Sequence, residues 1–178
     1  MKCINNVKIS ALFYSVLPFS NFIEIAQNRK IPYSQKRNIL IIKDIFSLSV
    51  FKKIENKFHI NITGIPSLKD VTSTIDWLVN TYCKDIFFRM ISFQIDNITA
   101  TFDIGFNVSL EEIASNVKKS KYNPERFPGL CYKTLHGTAV IFDTGKINIV
   151  GCKSEYEIFA LWKDIQEIIY AVRNKKIS

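Results

Sequence analysis

The chain aligns with itself, and this internal repeat limits the folds open to it more than any other feature. "INNVKISA" (4–11) aligns with "IDNITATF" (95–102), and "HINITG" (59–64) aligns with "KINIVG" (146–151). Self-similarity over segments this far apart indicates a tandem duplication, in which one structural unit occurs twice. The two halves are expected at residues 1–83 and 92–178, with residues 84–91 connecting them.

The spacing between the aligned halves is 91 residues over the first part of the alignment. Apolar positions pair at this spacing without a gap as far as Phe51 and Phe142, and Ile39 pairs with Leu130. Beyond Phe51 the spacing falls to 87 residues, so the first half is expected to carry a turn four residues longer. Chance is a poor explanation for an alignment of the two halves that keeps apolar positions paired throughout and needs only a single insertion.

Each half predicts the same order of elements: a strand, a short helix, a loop, three strands and a longer helix. Ser67, Ser109 and Ser154 each stand three residues before an acidic residue, and they are expected to cap helices. "DTGK" (143–146) is typical of a hairpin turn. The three consecutive strands are expected at 38–43, 46–52 and 57–64, and again at 129–135, 138–142 and 146–151.

Tight turns between the strands indicate antiparallel pairing and an α+β fold, in which two helices per half cover one face of a sheet. The period of two then predicts which side chains lie on the uncovered face. These residues are mostly polar and recur in both halves: Asn6, Lys8, Asn61, Thr63, Asn97, Thr99, Asn148 and Val150. A polar surface with this internal symmetry suits an elongated partner, and duplex nucleic acid fits that description.

Charge and composition narrow the classes of partner. The formal net charge of +8 suits a partner with phosphates, although a soluble basic protein without such a partner gives the same value. Four scattered cysteines and two histidines do not predict a zinc site, and no cofactor is expected. The closely spaced glutamates Glu111/Glu112 and Glu155/Glu157 are typical of helix starts rather than of catalytic pairs, and neither an enzyme nor a small-molecule substrate is expected. No apolar run approaches the roughly 20 residues of a membrane span.

One aromatic residue is placed where a core residue is not expected. Phe127 stands in "KYNPERFPGL" (121–130) between Arg126 and the turn-forming pair Pro128–Gly129. The segment "YNPERFPGLCYK", followed by "AVIFDTGKINIVGCKSEYEI", resembles the second repeat of the TATA-box-binding protein core domain. The similarity covers the second half almost entirely, and the internal alignment extends it to the first half.

This resemblance implies a saddle-shaped, curved ten-stranded antiparallel sheet with four helices on its convex face. The concave face of that family binds the minor groove of TATA-containing promoter DNA. Phenylalanine pairs wedge between base steps and bend the duplex, which then nucleates the preinitiation complex. The resemblance therefore implies a general transcription initiation factor, located in the nucleus or, for a viral protein, at the viral replication site.

The resemblance also implies roles for single residues. Phe127, Phe142 and Phe51 match DNA wedges, whereas Lys36 stands where a fourth phenylalanine is expected. Asn6 and Asn97 match asparagines that donate to the minor groove. The further groove contacts implied are Thr63, Lys8, Thr99, Asn61, Asn148, Val140, Val150 and Pro128. The expected phosphate contacts are Arg126, Lys133, Lys146 and Lys36.

A protein partner of the transcription factor IIB type is expected at the loop that carries Phe127, together with the RNA polymerase machinery. Glu125 matches one acidic residue of the family's contact there, while Asn123 and Arg126 depart from the pattern. Lys36 and the polar groove positions leave open a protein-interaction scaffold that no longer reads TATA DNA. A substrate-binding domain of a nucleic-acid enzyme is a third reading, but the chain has no room for a catalytic domain.

Overall fold

The computed structural model describes residues 3–15, 20–52, 57–83 and 88–175. Within these ranges ten β-strands and four α-helices occur, and the order of the first half recurs in the second. The first half contains β1 (Cys3–Ser15), α1 (Ser20–Asn28), β2 (Tyr33–Lys36), β3 (Ile39–Lys43), β4 (Ser47–Lys52), β5 (Lys57–Ile65) and α2 (Val71–Tyr82). The second contains β6 (Phe88–Asp103), α3 (Leu110–Asn116), β7 (Ser120–Asn123), β8 (Phe127–Lys133), β9 (Thr138–Ile141), β10 (Lys146–Cys152) and α4 (Glu155–Lys175).

The chain divides into two compact units. The first unit is Asn6–Asp96, and the second comprises residues 3–5 and 97–175 of the described chain. Strands neighbour one another in the order β2-β3-β4-β5-β1 in the first unit and β6-β10-β9-β8-β7 in the second. The assigned strand pairs within each unit are antiparallel. Residues 84–87 of the expected connection lie outside the described residues, as does the longer turn expected at 53–56.

Each unit has a core between one sheet face and its helices. Val7 and Ile9 have no exposed surface, whereas their neighbours Asn6 and Lys8 are partly exposed, so the predicted alternation along β1 is confirmed. In the first unit Phe22 of α1 packs on Phe58 of β5, with ring centroids 5.9 Å apart. Burying a side chain of this size stabilises a fold by about 1.5–3 kcal/mol.

The second unit repeats this packing. Trp162 of α4 stacks on Phe102 of β6, with centroids 4.3 Å apart and planes 14° from parallel. Ile147 and Ile149 of β10 are fully buried beneath the helices, as the alternation predicts. Among the described helices, none is long and apolar enough to cross a membrane.

The sequence pattern did not predict β2 and β7, although the family resemblance implied ten strands. All four residues of β2, "YSQK", are exposed, and β2 is the edge strand of its sheet. An edge strand with no buried side chain has no alternation to detect, and its backbone pairing alone defines it. The loop expected before β3 is therefore partly a strand.

Two of the three predicted helix caps are confirmed. Ser109 and Ser154 each accept a hydrogen bond from the backbone N–H three residues on, at 3.4 and 3.2 Å. The prediction for Ser67 is wrong, because a 3-10 turn over Leu68–Asp70 precedes α2 and its backbone N–H groups do not reach the hydroxyl. The Ser67 hydroxyl instead donates to the Asp70 carboxylate at 2.6 Å.

The gap-free pairing of the two halves is wrong by one residue at β3 and β8. A row of three fully buried residues crosses the second unit: Leu130, Ile141 and Ile147. The matching row in the first unit is Leu40, Val50 and Ile60. The counterpart of Leu130 is therefore Leu40, because Ile39 is only half-buried and lies opposite Phe51.

Candidate nucleic-acid interface

The sheet face opposite the helices is partly exposed in each unit, and we call it the open face. In the first unit it carries Asn6, Lys8, Asn61 and Thr63. In the second unit it carries Asn97, Thr99, Asn148 and Val150. All eight side chains are half-buried, while the residues between them along the strands are core. The structure thus brings these predicted contacts onto one surface in each unit.

Asn6 and Asn97 occupy the same local structure in the two units. The Asn6 side-chain oxygen accepts a hydrogen bond from the Gly64 backbone N–H at 3.0 Å, and Asn97 accepts one from Gly151 at 2.6 Å. Both glycines have positive φ, 95° and 88°, and both lie at a break in strand register. A side chain is strained at such a φ, which explains why glycine stands there.

These hydrogen bonds fix which end of each amide is available. Because the oxygen is held by the glycine N–H, the NH2 group of each asparagine is the end turned to other partners. The Asn97 NH2 group also donates to Thr99 Oγ1 at 3.2 Å, which leaves its second hydrogen for a ligand. Gly64 and Gly151 pair in the repeat alignment, and that signal could have predicted the contact.

Phe127 and Phe142 form an aromatic pair at one end of the second unit's open face. Phe127 is 45% exposed, and the two ring centroids lie 6.1 Å apart with planes at 61°. Phe127 is the first residue of β8 and Phe142 directly follows β9. Phe142 is half-buried, and the exposed ring of Phe127 that it supports is typical of a contact surface.

The prediction of a turn at Pro128–Gly129 is wrong. Pro128 and Gly129 lie within β8 rather than in a turn; the turn is formed by residues 124–126. Gly129 has a different role, since a Cβ built on it would lie 2.8 Å from Phe127 Cε1 and 2.8 Å from Val140 Cγ1. Only glycine permits the two rings and Val140 to converge at this point.

The first unit lacks the second member of the pair. Phe51 is the penultimate residue of β4, and the ring of His59 meets it edge-on with centroids 6.1 Å apart. Lys36 is exposed and ends β2, opposite Ile39. Since Leu40 is the counterpart of Leu130, the residue three positions earlier, Arg37, is the counterpart of Phe127, and Lys36 is not. Arg37 has φ of 48° in a tight turn. Both candidate positions are basic.

Several polar side chains of the open faces are already paired. Lys8 Nζ lies 3.6 Å from Asp96 Oδ2, so this predicted base contact is held in an ion pair. The Asn148 side-chain oxygen accepts a hydrogen bond from Thr101 at 3.0 Å. The Asn61 oxygen lies 2.9 Å from His59 Nε2. Sequence reasoning missed Asp96, which stands in the repeat position of Asn5.

Comparisons with known proteins identify a family that this chain resembles. The sequence model of the family described as transcription factor TFIID (or TATA-binding protein, TBP) matches residues 92–172. The TATA-box-binding protein of Thermococcus celer is 27% identical over 170 residues, covering 93% of this chain and 87% of that protein. The Picrophilus torridus TATA-box-binding protein is 34% identical over 119 residues, which is 61% of this chain and 65% of the relative.

A solved structure extends the similarity to both halves. The Methanococcus jannaschii TBP superposes with a TM-score of 0.77 at 27% identity, over 96% of this chain and 98% of that chain. Residues 92–172 therefore match the TATA-binding protein family in sequence, and the described chain shares the fold of a solved member. The predicted α+β tandem-repeat fold class of that family is confirmed.

Basic side chains lie around the second unit's open face. Arg126, in the turn before Phe127, is exposed, as are Lys133 and Lys146 at opposite ends of their strands. Lys146 is opposite Asp103 in the sheet register, which lowers the local positive charge there. Arg126 and Lys133 are therefore the least compensated of these candidate phosphate contacts.

The turn at 124–126 also carries the expected partner contact. Glu125 is exposed, and its backbone N–H donates to the Asn123 side-chain oxygen at 3.2 Å, which stabilises the turn. Behind this turn the Tyr122 hydroxyl donates to the Glu111 carboxylate at 3.5 Å. The carboxylate of Glu125 thus projects from an ordered turn directly beside the exposed Phe127.

Cys83 and Cys152 are buried in the core. Burial raises the pKa of the Cys83 thiol above its usual range, and burial, assisted by Glu157, raises the pKa of Cys152 to about 11. Both thiols are therefore protonated at neutral pH. Across the described residues, no group of three or more His, Cys, Asp or Glu side chains is placed to hold a metal ion.

Proposed function

We propose that this protein is a transcription initiation factor that binds the minor groove of A·T-rich promoter DNA and bends it. Phe127 and Phe142 wedge between base pairs, and Phe51 does so alone in the first repeat. The bent complex then recruits a IIB-like factor, which contacts the turn at Glu125, and through it the RNA polymerase machinery. The protein acts without enzymatic activity, in the nucleus or at a viral replication site.

The observation that carries this proposal is the exposed ring of Phe127, which packs against the half-buried ring of Phe142. Opening a base step costs a few kcal/mol. Burying the exposed 45% of Phe127 offsets roughly half of the 1.5–3 kcal/mol that full burial of such a side chain is worth. Because Phe127 is 45% exposed in the free protein, that apolar surface is still available for DNA. A second ring beside it supports the wedge at a fixed angle.

The paired asparagines support minor-groove binding in particular. A·T pairs present only acceptors in the minor groove, so a donor can bind at any of them. Asn6 and Asn97 turn their NH2 groups outward because the glycine N–H groups hold their oxygens. Each repeat thus offers one oriented donor to an acceptor-only surface.

The number of wedge residues predicts that the two repeats bend DNA to different extents. The second repeat carries two wedge residues, whereas the first carries Phe51 with a basic residue, Lys36 or Arg37, in place of its partner. A lysine or arginine there can contact phosphate but cannot unstack bases. We therefore expect most of the bend to arise at the second repeat.

Bending and base preference test the proposal together. Fluorescence energy transfer between the ends of an A·T-rich duplex reports the bend, and gel-shift titration against a G·C-rich duplex at fixed salt reports the preference. Phe127→Ala should reduce the bend sharply. Phe159→Ala, which removes a 50% exposed ring from helix α4, is the matched control and should bend DNA as the unmodified protein does. An unbent duplex with the unmodified protein would refute the proposal.

A protein-interaction scaffold that has lost base reading is the second candidate. It is favoured by the ion pair of Lys8 with Asp96, which occupies a predicted base contact, and by the missing wedge in the first repeat. The titration separates the two functions. Equal affinity for A·T-rich and G·C-rich duplexes, with the IIB-like factor still bound, would support the scaffold.

A further inference from the structure

The open face of the first unit carries an acidic residue, Asp96, whose carboxylate has hydrogen-bond and ion-pair partners. Asp96 Oδ1 accepts hydrogen bonds from the Ser10 hydroxyl at 2.9 Å and from the Gln94 amide at 3.0 Å. Asp96 Oδ2 faces Lys8 Nζ at 3.6 Å. Ser10 lies directly opposite Asn61 in the sheet, so this Asp96 cluster adjoins the row of open-face side chains.

The second unit has a neutral version of the same arrangement. At the 91-residue spacing, Asp96 corresponds to Asn5 and Ser10 to Thr101. The Asn5 NH2 group donates to Thr101 Oγ1 at 2.5 Å. The corresponding contacts in the two units thus run in opposite directions. The Asn5 amide donates to the Thr101 hydroxyl, whereas the Asp96 carboxylate accepts from the Ser10 hydroxyl.

The carboxylate is a poor fit to A·T pairs. The minor groove of A·T pairs offers only acceptors. DNA binding would therefore desolvate the Asp96 carboxylate without supplying a hydrogen-bond donor to it. Removing Oδ2 from water is costly, because the two hydrogen bonds to Asp96 fall on Oδ1 and Lys8 Nζ lies 3.6 Å from Oδ2. The side chain of Asp96 is 22% exposed and that of Lys8 36%, so DNA on this face would cover both.

One group in the minor groove can donate to a carboxylate. The N2 amino group of guanine is the only base-edge donor there, and cytosine O2 and guanine N3 remain acceptors. Both hydrogen bonds to Asp96 fall on Oδ1, which leaves Oδ2 with lone pairs for a further donor. Lys8 beside it supplies donors for the acceptors.

We propose that Lys8 and Asp96 read a G·C pair in the half of the DNA site that contacts the first unit. This inference rests on the proposed minor-groove binding and refines its substrate to an A·T-rich site with one G·C pair on one side. Since the second unit has Asn5 at the same position, only one half of the site prefers guanine. The protein therefore binds an asymmetric site in one orientation.

Inosine in place of guanine tests this directly, because it removes only the N2 amino group. A single G·C pair is moved through an A·T-rich duplex, and each duplex is compared with its inosine counterpart by titration at fixed salt. At one position guanine should bind about tenfold more tightly than inosine, the value of a hydrogen bond to a charged group. Asp96→Asn should abolish that difference.

Two further variants complete the test. Asn5→Asp should create a second guanine-preferring position, in the other half of the site. Asp76→Asn makes the same chemical change at an exposed position on helix α2 and should leave the guanine preference intact. DNA binding in which no position prefers guanine over inosine overturns the inference, whether or not Asp96→Asn folds. Absence of binding to every duplex instead refutes the proposed function.

Discussion

Gly129→Ala should weaken DNA bending without removing either wedge ring. The added Cβ would lie 2.8 Å from Phe127 Cε1 and from Val140 Cγ1, and 3.2 Å from Phe142 Cε1. Ordinary contacts of this kind begin near 3.4 Å, so two neighbours must each retreat by several tenths of an ångström. Phe127 is exposed and can rotate away, but Val140 is half-buried within β9 and has less freedom.

The expected magnitudes follow from this geometry. Overpacking costs about 1–3 kcal/mol, and the lower end applies because one of the neighbours is a free ring. A loss of about 1 kcal/mol lowers the melting temperature by about 2–4 °C in a chain of this size. Because Phe127 is 45% exposed, burying the rest of its surface is worth roughly half of the 1.5–3 kcal/mol of full burial, and losing it would weaken DNA binding about three- to tenfold.

Gly105→Ala provides the matched control. Gly105 has φ of 80°, and a Cβ built on it has no neighbouring atom within 4 Å, so alanine there is strained but meets nothing. Strain of this kind costs about 1–3 kcal/mol, similar to the loss expected at Gly129. Thermal melting and end-to-end energy transfer should then show two destabilised variants, of which only Gly129→Ala bends DNA less.

Two results would refute this reasoning. If Gly129→Ala bends DNA fully while Phe127→Ala does not, the rings do not need their packed arrangement. If Gly105→Ala loses as much bending as Gly129→Ala, the effect reflects general destabilisation.

Three other changes have defined outcomes. Asn97→Asp keeps the acceptor for its glycine partner but removes the NH2 donor, so DNA affinity should fall about tenfold with little change in melting temperature; equal affinity would contradict the donor role. Cys131, half-buried on the open face, should be alkylated faster than Cys152, whose pKa burial raises to about 11, and DNA should protect Cys131 in peptide mass spectrometry. Lys36→Phe should leave the bend angle unchanged, because the strand register places Arg37 at the wedge position; an increased bend would show that the register argument is wrong.

The sequence predicts the faces of the sheets well, because alternation is a local property. Val7 and Ile9 are core and Asn6 and Lys8 are not, as a period of two requires. Phe127 is exposed, as its neighbours Arg126 and Pro128 indicated. In each case one residue's surroundings along the chain are sufficient to place it.

The remaining features depend on contacts between distant residues. The sequence alone predicts Lys8 as a minor-groove contact, whereas the structure places Asp96, 88 residues away, beside it. Gly129 reads as a turn residue because its role depends on Val140 and Phe142, which approach it from the next strand. β2 was missed since an exposed edge strand leaves no hydrophobic period.

The asparagine–glycine contacts show why a shared position in both repeats is informative about function. Gly64 and Gly151 are both exposed, so water could satisfy their N–H groups without any asparagine. The net contribution of such a bond to stability is about 0.5–1.5 kcal/mol, and less when water can replace it. Stability alone therefore gives a weak reason for the same amide at both places. The choice of amide end gives a stronger one, because this bond occupies the oxygens of Asn6 and Asn97 and leaves their NH2 groups to donate to the acceptors that A·T pairs present.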